Sequence, residues 1–344
     1  YDKLEADGEA DNYNQIFFGQ EAEDQLEEFE CPPENFKDYN WNHHFPVCKD
    51  DATSTFKVRP VFNCSFKPDK SKPSLNEASY VGVNIMQDMA ALLMHFRTNS
   101  YTLLGDLKKA FLQIKLKLLK DRNRFGFFLK VNGKLRCYRY KTLIFGYCAS
   151  PFILNYVLKY LANQSPQDKC TEMIRNNFFV DNLAMTHNDP TILTDLYKTC
   201  VDRMDKFHFD LRSCNSNNES LVAQMKQDGK YVAHGCEYDK VLGYKYSGKQ
   251  DKMTLASVNL NVNANTQRKL LSESPKVFDP LGFATPVTVR SKALLSAQWS
   301  KRSGKGPHWD KEISSEDAKA WTKLAPDLMG LSAVSYTHLR AHET

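Results

Sequence analysis

Apolar and polar positions follow two periods along this chain, and the changes of period mark its elements. Ile85–Arg97, IMQDMAALLMHFR, spaces apolar residues three and four apart and predicts an amphipathic helix. Phe56–Asn63, FKVRPVFN, is short, β-branched and basic, and reads as a strand. The proline-punctuated SFKPDKSKPSLNEAS after it is a loop. Tyr101–Asp106, YTLLGD, is a strand that ends at an acid. In RFGFFLKVNGKLRCYRY, Asn132-Gly133 sits between strand-like runs and predicts a hairpin. A helix over Ser150–Asn163 has Ser150 as N-cap and Pro151 at its first position. FFVDNLAM, Phe178–Met185, sets Asp181-Asn182 between apolar runs. Both residue types tolerate positive φ, so the pair suits a tight turn. A helix follows with Asp189 as its cap, and KVLGYKYSGKQDKMTLASV is strand-like again. The order β, α, β, hairpin, α, hairpin, α, β predicts an α+β fold with helices on one face of a sheet.

Charge adds an asymmetry that the pattern hides. Residues 1–39 hold thirteen acids and two bases, a net −11, while the rest carries 44 bases against 28 acids, a net +16. A basic body suits a polyanionic partner. The acidic leader, residues 1–38, is expected to be disordered. Its 344 residues suggest roughly two units. No apolar run of about 18 residues exists, so no membrane partner is expected. The nine cysteines are scattered and never in a CxxC pair, which favours reduced thiols in a cytosolic protein. His43, His44 and Cys48 lack a fourth ligand at zinc spacing. The final VSYTHLRAHET, residues 334–344, resembles the translation of a transposase-type sequencing adapter and is expected to be a scar outside the fold.

Two acids carry the candidate chemistry. Asp106 ends an apolar strand and Asp181 sits in an apolar hairpin. Carboxylates on neighbouring strand ends hold hard cations such as Mg²⁺, which prefer oxygen ligands. Two such ions serve phosphoryl transfer. By itself, FFVDNLAM reads first as a surface turn.

In combination these stretches resemble the reverse transcriptases of BEL/Pao-type LTR retrotransposons. The matching pieces run in family order: KVRPVF (57–62), GDLKKAFLQI (105–114), FGYCASPFILN (145–155), FFVDNL, KFHFDLRSCNSN (206–217), VLGYKY (241–246) and KVFDPLGFATPVTVRSKALLSAQW (276–299). Each is weak alone; seven in register are specific. The resemblance covers about residues 41–325. It implies a right-hand polymerase fold, with fingers and palm over 39–246 and a truncated thumb or connection over 247–333. The implied activity is RNA-directed DNA synthesis, in which a primer 3′-hydroxyl attacks a dNTP on an RNA or DNA template. Asp106 and Asp181 would bind two Mg²⁺ ions, with Mn²⁺ as a substitute, and Asn182 completes the catalytic set. The Leu107 carbonyl adds a ligand, while Lys57 and Arg59 neutralise the triphosphate. Phe111 is the steric gate against a 2′-hydroxyl. Phe145, Gly146 and Ser150 line the nucleotide, and Leu242, Gly243 and Tyr244 grip the primer. Peptidase, RNase H and integrase domains are expected as partners in a parent polyprotein, in a cytoplasmic particle or the nucleus.

The match departs from its pattern at three points. Asn182 stands where most relatives have a second Asp, Phe145 where many have Gln, and Asn63 where an acid is frequent. An amide coordinates through oxygen but brings no charge, so weakened activity is expected. The competing reading is an inactive relative that only binds nucleic acid. No D[ST]G triad is present, and no acidic cluster of the RNase H kind is convincing.

Overall fold

The computed structural model describes residues 2–6, 8–30, 38–48, 58–67, 69–231, 239–300 and 309–337. Its strands, in chain order, are β1 (Leu26–Phe29), β2 (His43–Cys48), β3 (Val58–Asn63), β4 (Tyr101–Leu107), β5 (Gly126–Val131), β6 (Lys134–Tyr140), β7 (Phe178–Phe179), β8 (Asn182–His187), β9 (Leu211–Asn215), β10 (Asp239–Val241), β11 (Tyr244–Ser247), β12 (Lys252–Leu255) and β13 (Ser335–Thr337). The helices are α1 (Asp2–Ala6), α2 (Ala10–Ala22), α3 (Met89–His95), α4 (Leu119–Arg122), α5 (Ser150–Gln164), α6 (Lys169–Asn177), α7 (Pro190–Lys206), α8 (Glu219–Gln227), α9 (Gln267–Glu273), α10 (Thr285–Ser300) and α11 (Ser315–Gly330). The strands form four sheets, ordered β1-β6-β5, β2-β3, β7-β8-β4-β9 and β10-β11-β12-β13.

The chain divides into two compact units. One holds Tyr1–Met86, Asp106–Asp181 and Lys198–Arg212; the other holds Gln87–Gly105, Asn182–Tyr197 and Ser213–Thr344. The boundary expected after residue 246 falls inside the second unit.

In the first unit the acidic leader folds, against the expectation of disorder. Residues Tyr13, Asn14, Phe17 and Gln20 share the buried face of α2. Phe17 is fully buried and packs on Phe127 and Phe62, with ring centroids 5.2 and 6.3 Å away. β1 joins β6 antiparallel, Leu26 opposite Tyr140. The acids meet bases of the body: Glu5–Lys130 at 2.7 Å, Glu23–Lys109 at 2.7 Å, Glu27–Arg139 at 2.7 Å, and Asp24 with Lys115 and Lys141. Each exposed pair is worth at most about 1 kcal/mol. Burying one aromatic side chain contributes roughly 1.5–3 kcal/mol. Tyr13, Phe17 and Leu26 therefore hold the leader, and the charges fix where it lies. Composition hid this because four residues, Leu4, Tyr13, Phe17 and Leu26, outweigh a charge count once they join one core.

Local signals explain most other elements. Asn132 and Gly133 take φ of 50° and 76° and turn β5 into β6, as predicted. Asp189 Oδ1 accepts from Thr191 N at 2.8 Å and starts α7, as predicted. α3 is shorter than the periodicity suggested, because Asp88 caps it by accepting from Ala91 N at 2.7 Å. α5 begins one residue off: Ala149 is the N-cap, and Ser150 turns its hydroxyl to Ile144 O at 2.8 Å. Two further expectations fail. Ser335–Thr337, within the suspected scar, pairs with β12, Met253 opposite Tyr336. Cys137 is disulfide-bonded, whereas Cys64, Cys148, Cys170, Cys200 and Cys214 are free.

His44 is committed to the core of the first unit. Tyr13 Oη donates to its Nδ1 at 2.7 Å and its Nε2 donates to Phe128 O at 2.8 Å. Burial pushes its pKa down from 6.5 to about 4. The unfolded chain therefore takes up this proton first as pH falls. The stability that neutral His44 contributes is complete above about 6.5 and lost toward 4. At most about 3 kcal/mol is at stake. His44→Phe is expected to flatten the acid limb of stability between those pH values, measured by urea unfolding at each pH.

Candidate active site

β4 delivers Asp106 at its end because Leu103, Leu104 and Leu107 are buried and fix the strand. Two backbone hydrogen bonds hold the chain where it leaves the strand. Leu107 N donates to Asp181 O at 2.9 Å, and Lys108 N donates to Asp210 O at 2.9 Å. Three distant stretches, around residues 107, 181 and 210, thus meet at one point in the first unit. Lys108 Nζ adds a 3.8 Å ion pair to Asp210.

The hairpin that carries Asp181 differs from expectation. Its turn is Val180-Asp181, not Asp181-Asn182, and the positive φ falls on Val180 at 56°. A β-branched residue there is strained by about 1–3 kcal/mol. Asn182 opens β8 and is half-buried. Sequence could not locate this turn, because Asp and Asn are the better residues for positive φ and they lie one step further on.

Asp106 and Asp181 are close enough to repel. Burial first, and the Asp181 charge second, push the Asp106 carboxyl up to about 6, and the Arg212 guanidinium opposes both. Arg212 reaches the site from β9, with Nε 4.0 Å from Asp106 Oδ2. Nothing in the pattern of FDLRSC marked that arginine, and it was missed. The donors brought together are two carboxylates, both hard oxygen ligands. A half-buried acid whose charge is disfavoured is what a divalent cation would relieve, so the residues fit Mg²⁺ or Mn²⁺. Among the described residues no three acids, histidines or cysteines group as a metal site.

The residues expected to line the nucleotide divide. Phe111, 9% exposed on the short 3-10 turn Ala110–Gln113, meets Phe145 edge to face, centroids 4.7 Å apart. Phe145 itself is half exposed, so the pair presents one aromatic wall. Gly146 has φ 98°, and a Cβ there would stand 2.2 Å from Phe62 O. Asn76 latches this loop, donating to Gly146 O at 3.0 Å and accepting from Cys148 N at 2.9 Å. Arg59 is exposed on β3 and forms no ion pair among the described residues. Lys57 lies outside the described residues.

The expected primer-gripping residues lie in the second unit. Leu242 and Gly243, at φ 46° and 99°, make the turn between β10 and β11. Tyr244 Oη donates to Asp279 Oδ1 at 2.6 Å and accepts from Leu281 N at 3.1 Å, which ties the turn to that loop.

Gly146→Ala is expected to destabilise the first unit by about 2 kcal/mol or more, since both the backbone angle and the Phe62 carbonyl oppose a methyl group. Chemical denaturation against the parent protein measures it.

Comparison with known proteins supplies the setting. Residues 266–340 match the family model described as Pao retrotransposon-like RNaseH-like domain. No curated protein matches the chain. The fold is similar to the foamy viral protease-reverse transcriptase in complex with an RNA/DNA hybrid, at TM-score 0.57 and 13% identity, over 93% of this chain and 36% of that one. It is also similar to the foamy viral protease-reverse transcriptase dRH with double-stranded DNA, at TM-score 0.54 and 13% identity, over 88% and 45%. The chain thus spans less than half the length of either, and at that identity the likeness speaks to fold alone. The family match carries an RNaseH-like description and contains one of the seven stretches set out above, residues 276–299, with the other six outside it. Taken together, residues 266–340 are similar to a Pao retrotransposon-like family, and the chain has a mixed α/β fold similar to that of the two foamy viral structures.

Proposed function

We propose that this chain is a reverse transcriptase region, an RNA-directed DNA polymerase of a BEL/Pao-type element. The observation that carries the reading is the Asp106–Asp181 pair, drawn together by the Leu107 N to Asp181 O bond at the end of β4. The foamy viral likeness supports a right-hand polymerase arrangement for its fold. Asp106 and Asp181 would hold divalent cations, helped by the Leu107 carbonyl and the Asn182 amide. When bound, such cations would supply Lewis-acid chemistry for phosphoryl transfer.

The protein's own groups do the rest. The Phe111 ring, braced by Phe145, closes the space beneath the sugar and excludes a 2′-hydroxyl. Gly146 lets backbone approach the nucleotide, and Ser150 closes that loop on Ile144. Arg59 and Lys57 offset the triphosphate charge. Leu242, Gly243 and Tyr244 hold the primer strand. Template with primer, and dNTPs, are the substrates.

One observation favours a nuclease instead, the RNaseH-like description over residues 266–340. The described parts of that span, 266–300 and 309–337, hold the helices α9, α10 and α11 and one named strand, β13. Three of its seven acids are ion-paired, Glu273 with Lys276, Asp310 with Arg268 and Asp327 with Arg290, and among the described residues no three acids, histidines or cysteines there group as a metal site. That leaves the polymerase reading ahead.

Primer extension on a homopolymer RNA template tests the choice. Mg²⁺-dependent product is expected, lost in Asp181→Ala. Asn182→Asp is expected to lower the Mg²⁺ concentration for half-maximal rate by about 3- to 10-fold, since added ligand charge tightens such sites. Phe111→Ala is expected to admit ribonucleotides. No extension above the Asp181→Ala background, together with degradation of the RNA strand of a hybrid, would favour the nuclease.

A further inference from the structure

Arg212 is the feature that the reading above leaves unexplained. It stands on β9, the neighbour of β4 in the sheet, and its guanidinium approaches Asp106 without engaging it. At 4.0 Å the Nε to Oδ2 separation is too long for a hydrogen bond. Nε is nevertheless buried and has no hydrogen-bond partner among the described residues. A charged donor held dry and unsatisfied is costly, and arginine cannot escape by losing its proton. A nearby anion is what makes such a placement tolerable, and the anion here is Asp106. The side chain as a whole is 42% exposed, so the guanidinium has room to swing away.

We propose that Arg212 is a built-in counter-cation that positions Asp106 in the metal-free protein and raises the divalent-cation concentration the site needs. The proposal rests on the metal-binding reading of the Asp106–Asp181 pair. Two carboxylates alone repel each other. One guanidinium beside them offsets part of that repulsion and keeps the carboxyl of Asp106 aimed at the site. The same positive charge opposes an arriving dication, because like charges about 4 Å apart repel strongly wherever water is partly excluded. With Asn182 in place of a third acid, the pair and Arg212 together carry a net charge of only −1. Arg212 thus acts through Asp106 and is a positioning residue. It also sets the cation concentration at which the site fills.

Calorimetric titration of Mg²⁺ into the full chain tests this without any assay of activity. Arg212→Gln is expected to bind Mg²⁺ about tenfold more tightly than the parent. Arg212→Lys, which keeps the charge, is expected to stay within about twofold of the parent. In EDTA the Gln variant is expected to melt at lower temperature than the parent, with the gap closing in saturating Mg²⁺. A purely structural arginine would lower the melting temperature equally in both conditions and leave Mg²⁺ affinity unchanged. That result, or weaker Mg²⁺ binding in Arg212→Gln while Asp106→Asn abolishes binding, overturns the proposal. If the parent itself binds no Mg²⁺, the metal reading fails and the proposal with it.

Discussion

The backbone bond from Leu107 N to the Asp181 carbonyl is the constraint on which the candidate site depends. It fastens the end of a buried strand to a hairpin turn about seventy residues away in the chain. With the Lys108 N to Asp210 O bond beside it, it leaves the two carboxylates little freedom to separate. Their repulsion, added to burial, lifts the Asp106 pKa to about 6. The fold therefore maintains an unfavourable charge arrangement at one place, and strained backbone at Val180 lies in the same turn. Such costs concentrate at functional sites.

Charge organises the molecule at a second scale. The acidic leader does not trail from the basic body. Glu5, Glu23, Asp24 and Glu27 are set against lysines and arginines of the first unit, while Tyr13 and Phe17 supply the burial. Lys109, three residues after Asp106, is one of those partners. The leader thus reduces the net positive charge near the candidate site and adds a strand to the adjoining sheet.

Sequence made some of this legible. Asn132-Gly133, Asp189 and the buried run before Asp106 carry their own local instructions, and the structure follows them. The pairing of Asp106 with Asp181 was inferable only as a pattern, because contact between strand ends depends on sheet order. The Val180 turn was misplaced since the local preference of Asp-Asn loses to the register that β8 needs to bury Leu183 and Met185. Arg212 was invisible: one base in a strand has no signature until the neighbouring strand is known. The leader folds because burial of Tyr13, Phe17 and Leu26 outweighs its net charge, which composition alone does not show.

The central claim is that Asp106 and Asp181 form a divalent-cation site. Anomalous diffraction from crystals of the chain soaked in Mn²⁺ addresses it most directly. The account predicts anomalous density between the two carboxylates, within about 2.0–2.3 Å of their oxygens, and its loss in Asp181→Ala. Density elsewhere, with none at this pair, would contradict it.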